Sequence, residues 1–182
     1  MKKITILLIT AFLTATGSNT ASADSYDYKP YVGIDYAYSR TNAFGVRPQH
    51  HTGYLRLGSD YSKYFATELF AGQSTQDTNR VNEYSLKTRY QAYGLDLLAF
   101  LPVYGDFSLA VTAGIGEYIY KTKFSPTDNH REHGYGYRFG GGVKYAWNKH
   151  WQTRVICRHI EFDHLKGYNH ALEYSFGMEY HF

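Results

Sequence analysis

The sequence predicts an all-β protein: an eight-stranded, antiparallel, up-and-down transmembrane β-barrel. The first of three observations is the closing segment, 171–182. Leu172, Tyr174, Phe176, Met178, Tyr180 and Phe182 fall on one face of a strand there, and Glu173, Ser175, Gly177, Glu179 and His181 on the other. Side chains alternate faces along a strand, so one side is apolar over its whole length. A strand of about 9–11 residues with an apolar lipid face and a polar lumen face is what a membrane barrel needs. The second observation is that runs of this kind recur along the chain with turn residues between them. The third is composition: 20 Tyr, 11 Phe and 17 Gly against 4 Pro. Tyrosine favours membrane–water interfaces, where its ring is buried and its hydroxyl stays wet. A mean hydropathy of -0.47 does not oppose the prediction, because alternation cancels in an average.

Before the strands comes a leader. Lys2 and Lys3 are followed by an apolar stretch, 4–15, and by Ala21-Ser22-Ala23 ahead of Asp24. The stretch is too short to span a bilayer and a small-x-small site follows it. Residues 1–23 are therefore expected to be a signal peptide cleaved between Ala23 and Asp24, leaving 24–182 as one barrel domain. No Cys lies near the cleavage point, so no lipoprotein anchor is expected. Removing Lys2 and Lys3 lowers the formal charge of +3 to about +1. This gives no basic footprint for nucleic acid.

The first strand is read at 31–40, with Val32, Ile34, Tyr36 and Tyr38 facing one way and Gly33, Asp35 and Ala37 the other. A polar loop, 41–51, precedes the second strand, 52–61, where Leu55 and Leu57 oppose Arg56, Gly58 and Asp60. Ser62-Lys63 turns into the third, 64–73, with Phe65, Thr67, Leu69 and Ala71 opposite Ala66, Glu68 and Gly72. Segment 74–83 reads as a polar loop. The fourth strand, 84–101, sets Tyr93, Leu95, Leu97, Ala99 and Leu101 against Gly94 and Asp96, and 102–105 reads as a turn by its Pro and Gly.

In the fifth strand, 106–124, Phe107, Leu109, Val111, Ala113 and Ile115 face out. Glu117 breaks that phase, so a bulge or the end of the membrane zone is expected near Gly116. A third long loop is read at 125–133. The sixth strand, 134–147, has Tyr135, Tyr137, Phe139, Val143 and Tyr145 out and Arg138, Gly140, Gly142 and Lys144 in. Asn148-Lys149 turns into the seventh, 151–162, with Val155 and Cys157 out and Arg154 and Arg158 in. A last longer loop, 163–169, leads to the closing strand.

Four longer loops on one side and three short turns on the other, with an even strand number, is the pattern of outer-membrane barrels. Hydrocarbon excludes an open sheet edge, so the last strand must pair with the first. A soluble eight-stranded barrel such as a lipocalin would reverse the faces. Here the inward face carries Asp35, Arg56, Glu68, Asp96, Arg138, Arg154, Arg158, Glu173 and Glu179, which is no lining for an apolar cup.

On its aromatic C-terminal strand, Gly-aromatic strands and strand–turn rhythm, the mature chain resembles the small bacterial outer-membrane β-barrel family. These are the OmpA/OmpX-type, opacity-protein-like barrels often labelled porin family. The resemblance implies a bacterial outer-membrane location, a neighbourhood of outer-membrane lipid, and outer-membrane assembly machinery that reads Tyr180 and the terminal Phe182. It also implies a non-enzymatic role, structural or as an adhesin-like surface protein, with a host or matrix ligand at the outer loops. A monomer is expected, with no cofactor and no periplasmic domain after the barrel. The alternatives are a small diffusion porin and, further off, a lipid-modifying enzyme.

The nine inward charges are the main candidate constellation. A barrel of eight strands is wide enough only for side chains to fill it. Five acids and four bases are therefore expected to pair as a plug, since unpaired buried charge is costly; a narrow ion path is the competing reading. His50, His51, His130, His133, His164 and His170 are placed in or near outer loops without the spacing of a metal site. A lipid A deacylase would need a nucleophilic Ser shortly after a His on a late strand, and 158–163 (R-H-I-E-F-D) has none. Gly140-Gly141-Gly142 lies mid-strand with no helix after it. Close packing over bare backbone explains it better than a phosphate loop. The single Cys157 is expected to be a small apolar residue rather than a reactive thiol.

Overall fold

The computed structural model describes residues 28–43, 47–81, 84–124, 128–165 and 167–182. The leader and its Ala23–Asp24 junction lie outside the described residues. The strands are β1 (Lys29–Ala43), β2 (Gln49–Asp60), β3 (Phe65–Ser74), β4 (Asp77–Val81), β5 (Tyr84–Tyr104), β6 (Phe107–Phe124), β7 (Asp128–Ala146), β8 (Trp151–Asp163) and β9 (Tyr168–His181). Neighbours run β3-β2-β1-β9-β8-β7-β6-β5, every pair antiparallel, and β5 pairs back to β3. The sheet is thus closed on itself. Strands β3 and β4 both pair with β5, Gln73 opposite Gln91 and Asp77 opposite Thr88, so together they form one interrupted stave. Eight staves close the barrel.

The period-2 alternation sorts the two faces. Ile34, Leu57, Leu97, Val111, Phe139, Val155 and Phe176 stand exposed on the outside, while Tyr54, Phe70, Tyr90, Leu98, Tyr118, Ile156 and Ile160 are buried inside. An apolar exterior on a closed sheet is stable only against lipid. Chain closure brings Val32 opposite Tyr180 and Asp35 opposite Gly177.

Outside the apolar band the strands run further than the sequence suggests. The loop read at 41–51 shrinks, because β1 runs to Ala43 and β2 starts at Gln49. The polar segment 74–83 contains β4, and the loop read at 125–133 gives way to β7 from Asp128. Likewise β9 starts at Tyr168, inside the loop read at 163–169. These ribbons lie beyond the apolar band, and their sequences carry no apolar stripe. Backbone pairing alone extends them.

One turn assignment also changes, and of the two readings given for Gly116 the bulge is absent. Strand β5 runs through Pro102, with a register irregularity between Pro102 and Tyr104, and the chain reverses at Gly105, whose φ of 53° suits glycine. Near Gly116 there is no bulge: β6 keeps register with both neighbours through Gly116 and Glu117.

Candidate functional site

The bore of the barrel holds the chemistry. All nine charges of the inward set are buried, and Glu68, Asp96 and Glu173 are 0% exposed. They form two layers. Nearer the chain termini, Arg56 on β2 bonds Asp35 Oδ1 at 2.7 Å, Glu68 Oε2 at 3.0 Å and Glu179 Oε2 at 2.9 Å. Arg154 on β8 donates to Glu68 Oε1 at 2.6 Å and to Asp35 Oδ2 at 3.1 Å. Strands β8 and β3 lie on opposite walls of the closed sheet. The Arg154–Glu68 pair therefore spans the bore.

The second layer lies toward the outer ribbons and is looser. Arg138 reaches Asp96 at 3.4 Å and Glu173 at 3.5 Å; Arg158 reaches Glu173 at 3.3 Å and Asp96 at 3.8 Å. Neutral groups complete it. The Tyr54 hydroxyl donates to Glu173 at 2.8 Å, Arg158 donates to Ser175 at 2.9 Å, and the Arg138 guanidinium lies 3.8 Å from the Phe70 ring centroid.

Glycine makes room for these arginines. A Cβ at Gly33 would stand 2.6 Å from Arg56 Nη2, and one at Gly140 2.7 Å from Arg158 Cγ. Gly140 thus packs bare backbone against a buried side chain, and no phosphate loop is present there.

Apolar and aromatic layers close both ends of the charged zone. Toward the termini sit Tyr31, Ala66, Leu98, Phe100 and Ala110, with Lys144 Nζ 3.6 Å from the Phe100 centroid. The Tyr31 hydroxyl donates to Glu68 at 3.0 Å, and His181 contacts Glu179 at 3.3 Å. Toward the ribbons Tyr90, Tyr118, Tyr120, Phe162 and Tyr168 stack, with Tyr120 and Tyr168 centroids 4.1 Å apart. The sequence reading set His181 on the inward face but did not name these tyrosines, although Tyr31 and Tyr90 keep the alternating phase of Asp35 and Asp96; Tyr168 is out of phase with Glu173, where the β1–β9 register shifts between Thr41 and Ala43.

His50, His51, His133 and His170 lie on strands rather than in loops, while His164 keeps its expected place between β8 and β9. His50 is on β2, fully buried edge-on to Tyr90 at 5.3 Å. His51 is on the outer face against Tyr36 and Tyr38. On β7, His133 bonds Glu117, which also accepts from Tyr93. The His130 side chain lies outside the described residues. His164 sits beside Asp163 at 3.0 Å, and the His159 ring stacks on His170 at 5.5 Å. His159 Nε2 also contacts Glu161 at 3.2 Å, so its near partner is an acid. Cys157 is half-buried on the outer face. Phe182 is 72% exposed beside Tyr180, with its backbone N–H bonded to Pro30.

A family model described as outer membrane protein beta-barrel domain matches residues 8–182. Among curated proteins none matches the sequence. Solved structures share the fold at low identity. Neisserial surface protein A matches with a TM-score of 0.70 at 12% identity, over 84% of this chain and 97% of that one. A major outer membrane protein of Thermus thermophilus matches at 0.64 and 12%, over 86% and 100%. The attachment invasion locus protein Ail of Yersinia pestis, crystallised with the heparin analogue sucrose octasulfate, matches at 0.61 and 13%, over 85% and 99%.

Proposed function

The chain belongs to the outer membrane β-barrel protein family, and on that premise we propose a sealed, non-enzymatic barrel that presents its outer ribbons at the cell surface. Its role is structural or adhesin-like, and its lumen charges form a plug. The observation that carries this reading is the Arg154–Glu68 bond across the bore, with a second charged layer above it and aromatic layers beyond. Charges placed to satisfy one another, rather than to line a path, leave no room for a continuous water column in so narrow a barrel.

Surface interaction gains support from strands that continue as ribbons past the apolar band, and from the heparin analogue bound by Ail, a protein of the same fold. The diffusion-porin alternative would need a bore free of such cross-braces. The lipid-modifying alternative would need a nucleophile beside His159, where the structure places Glu161 and His170. Export by cleavage between Ala23 and Asp24, a monomeric barrel, and assembly signalled by Tyr180 and Phe182 belong to the same proposal.

The test is adhesion of cells displaying the chain to immobilised matrix proteins and glycans, against cells displaying a variant with the ribbons cut back to the apolar band. Ribbon-dependent adhesion supports the surface role. Equal adhesion by both strains assigns the ribbons a structural role only. Deleting Phe182 should lower the yield of assembled barrel in the outer membrane without changing synthesis.

A further inference from the structure

We propose that the outer flank of the β5–β6–β7 ribbon is a binding site for the phosphate-bearing headgroup of an outer-leaflet lipid. This goes beyond the surface-interaction reading and does not rest on it. The register of the three strands arranges their outward side chains in rows. Leu95, Ile115 and Tyr137 form an apolar row, followed by Tyr93, Glu117 and Tyr135, then by Gln91, Ile119 and His133. The next row is Arg89, Lys121 and Arg131, and beyond it Lys87 stands opposite Lys123.

Like charges directly opposite one another across strands destabilise a sheet. Here Arg89–Lys121, Lys121–Arg131 and Lys87–Lys123 are all such pairs. The carboxylate on this flank, Glu117, is already held by Tyr93 and His133. The five cations instead line a groove of about 230 Å³ that opens outward. An arrangement that costs stability in the free barrel is relieved by an anion lying in that groove.

Position selects the kind of anion. The tyrosine row marks the membrane–water interface. Arg89 lies four residues before Tyr93 on β5, which is about 13 Å along a strand and about 10 Å in height at the tilt of a membrane barrel. The polar zone of each leaflet is roughly 5–8 Å thick, and long basic side chains reach back along apolar surface to it. Arg89, Lys121 and Arg131 share the outward phase of Leu95, Ile115 and Tyr137, so they project from the barrel wall on the same face as the apolar band. Neighbouring strands differ: the adjoining β8 presents His159 and Glu161, and on β1, across the barrel, Arg40 donates to Tyr38. Among the described residues, facing rows of cations fall on the β5–β6–β7 flank.

The test uses the full barrel in phosphatidylcholine nanodiscs doped with either bisphosphorylated lipid A or its dephosphorylated form. Lipid retained on extraction is counted by native mass spectrometry. Wild type should retain the phosphorylated form about tenfold more, and more weakly as salt rises. Replacing Arg89→Gln, Lys121→Gln and Arg131→Gln together should remove that preference, while Arg40→Gln on the other flank leaves it intact. Equal retention of both lipids by wild type would overturn the proposal, and that arm needs no variant to fold. So would an unchanged preference in the triple variant, or wild type that ignores lipid phosphate but binds a heparin oligosaccharide through these residues.

Discussion

Two charged layers share one bore and use the same residue types, yet they are built differently. In the layer around Glu68, two arginines meet three acids at 2.6–3.1 Å, and one pair reaches from wall to wall. In the layer around Asp96, two arginines meet two acids at 3.3–3.8 Å, and tyrosine, serine and a phenylalanine ring supply the remaining contacts. Burying an ion costs several kcal/mol, offset only where geometry is good. The first layer offsets that cost with short, multiple ion pairs. The second offsets it by spreading charge onto hydroxyls and a π-face. In the proposed plug, closure of the bore rests on the first layer, whereas the second can rearrange at lower cost.

That contrast can be broken by substitution, and Arg154→Ala should have the largest effect. Among the described residues it leaves Arg56 as the one arginine in contact with Asp35, Glu68 and Glu179, so a loss of about 3–5 kcal/mol is expected in urea unfolding from lipid. Next, Val111→Arg or Phe176→Arg places a charge on the lipid face and should cost about 2–4 kcal/mol near the midplane. Harmless substitution at either position would invert the face assignment. Arg138→Ala, in the looser layer, should cost about 2 kcal/mol, because Arg158, Tyr54 and Ser175 still serve Glu173 or its neighbours. If Arg138→Ala proved costlier than Arg154→Ala, the ranking of the layers would be reversed. The smallest effect belongs to Tyr90→Phe, which removes a hydroxyl bonded to Thr52 at 2.7 Å and should cost about 1 kcal/mol.

Legibility in the sequence follows the same division between apolar band and ribbon. Within the band, strict alternation made the faces readable: Leu97, Val111 and Phe176 are exposed and Asp35, Arg138 and Glu179 buried, as period 2 requires. Beyond it the rule lost its signal. The sequences of 74–83 and 125–133 are polar, so no apolar stripe announced β4 (Asp77–Val81) or the start of β7 at Asp128, where ladder pairing sets the backbone. His50 was hidden for this reason: it looked like a loop residue, but β2 begins one position earlier and turns it inward against Tyr90. The partners of each charge were not legible either. Period 2 gives the face but not the height or the opposing wall. The bond between Arg154 and Glu68 depends on closure and stagger of the whole barrel.

Conductance of the purified barrel in planar lipid bilayers tests the sealed-bore account most directly. Wild type should show no steady current, and Arg154→Ala, once folded, should admit ions where the cross-brace is lost. A steady ohmic current through wild type, with Arg154→Ala altering ion selectivity but not stability, would contradict the plug and establish a small pore.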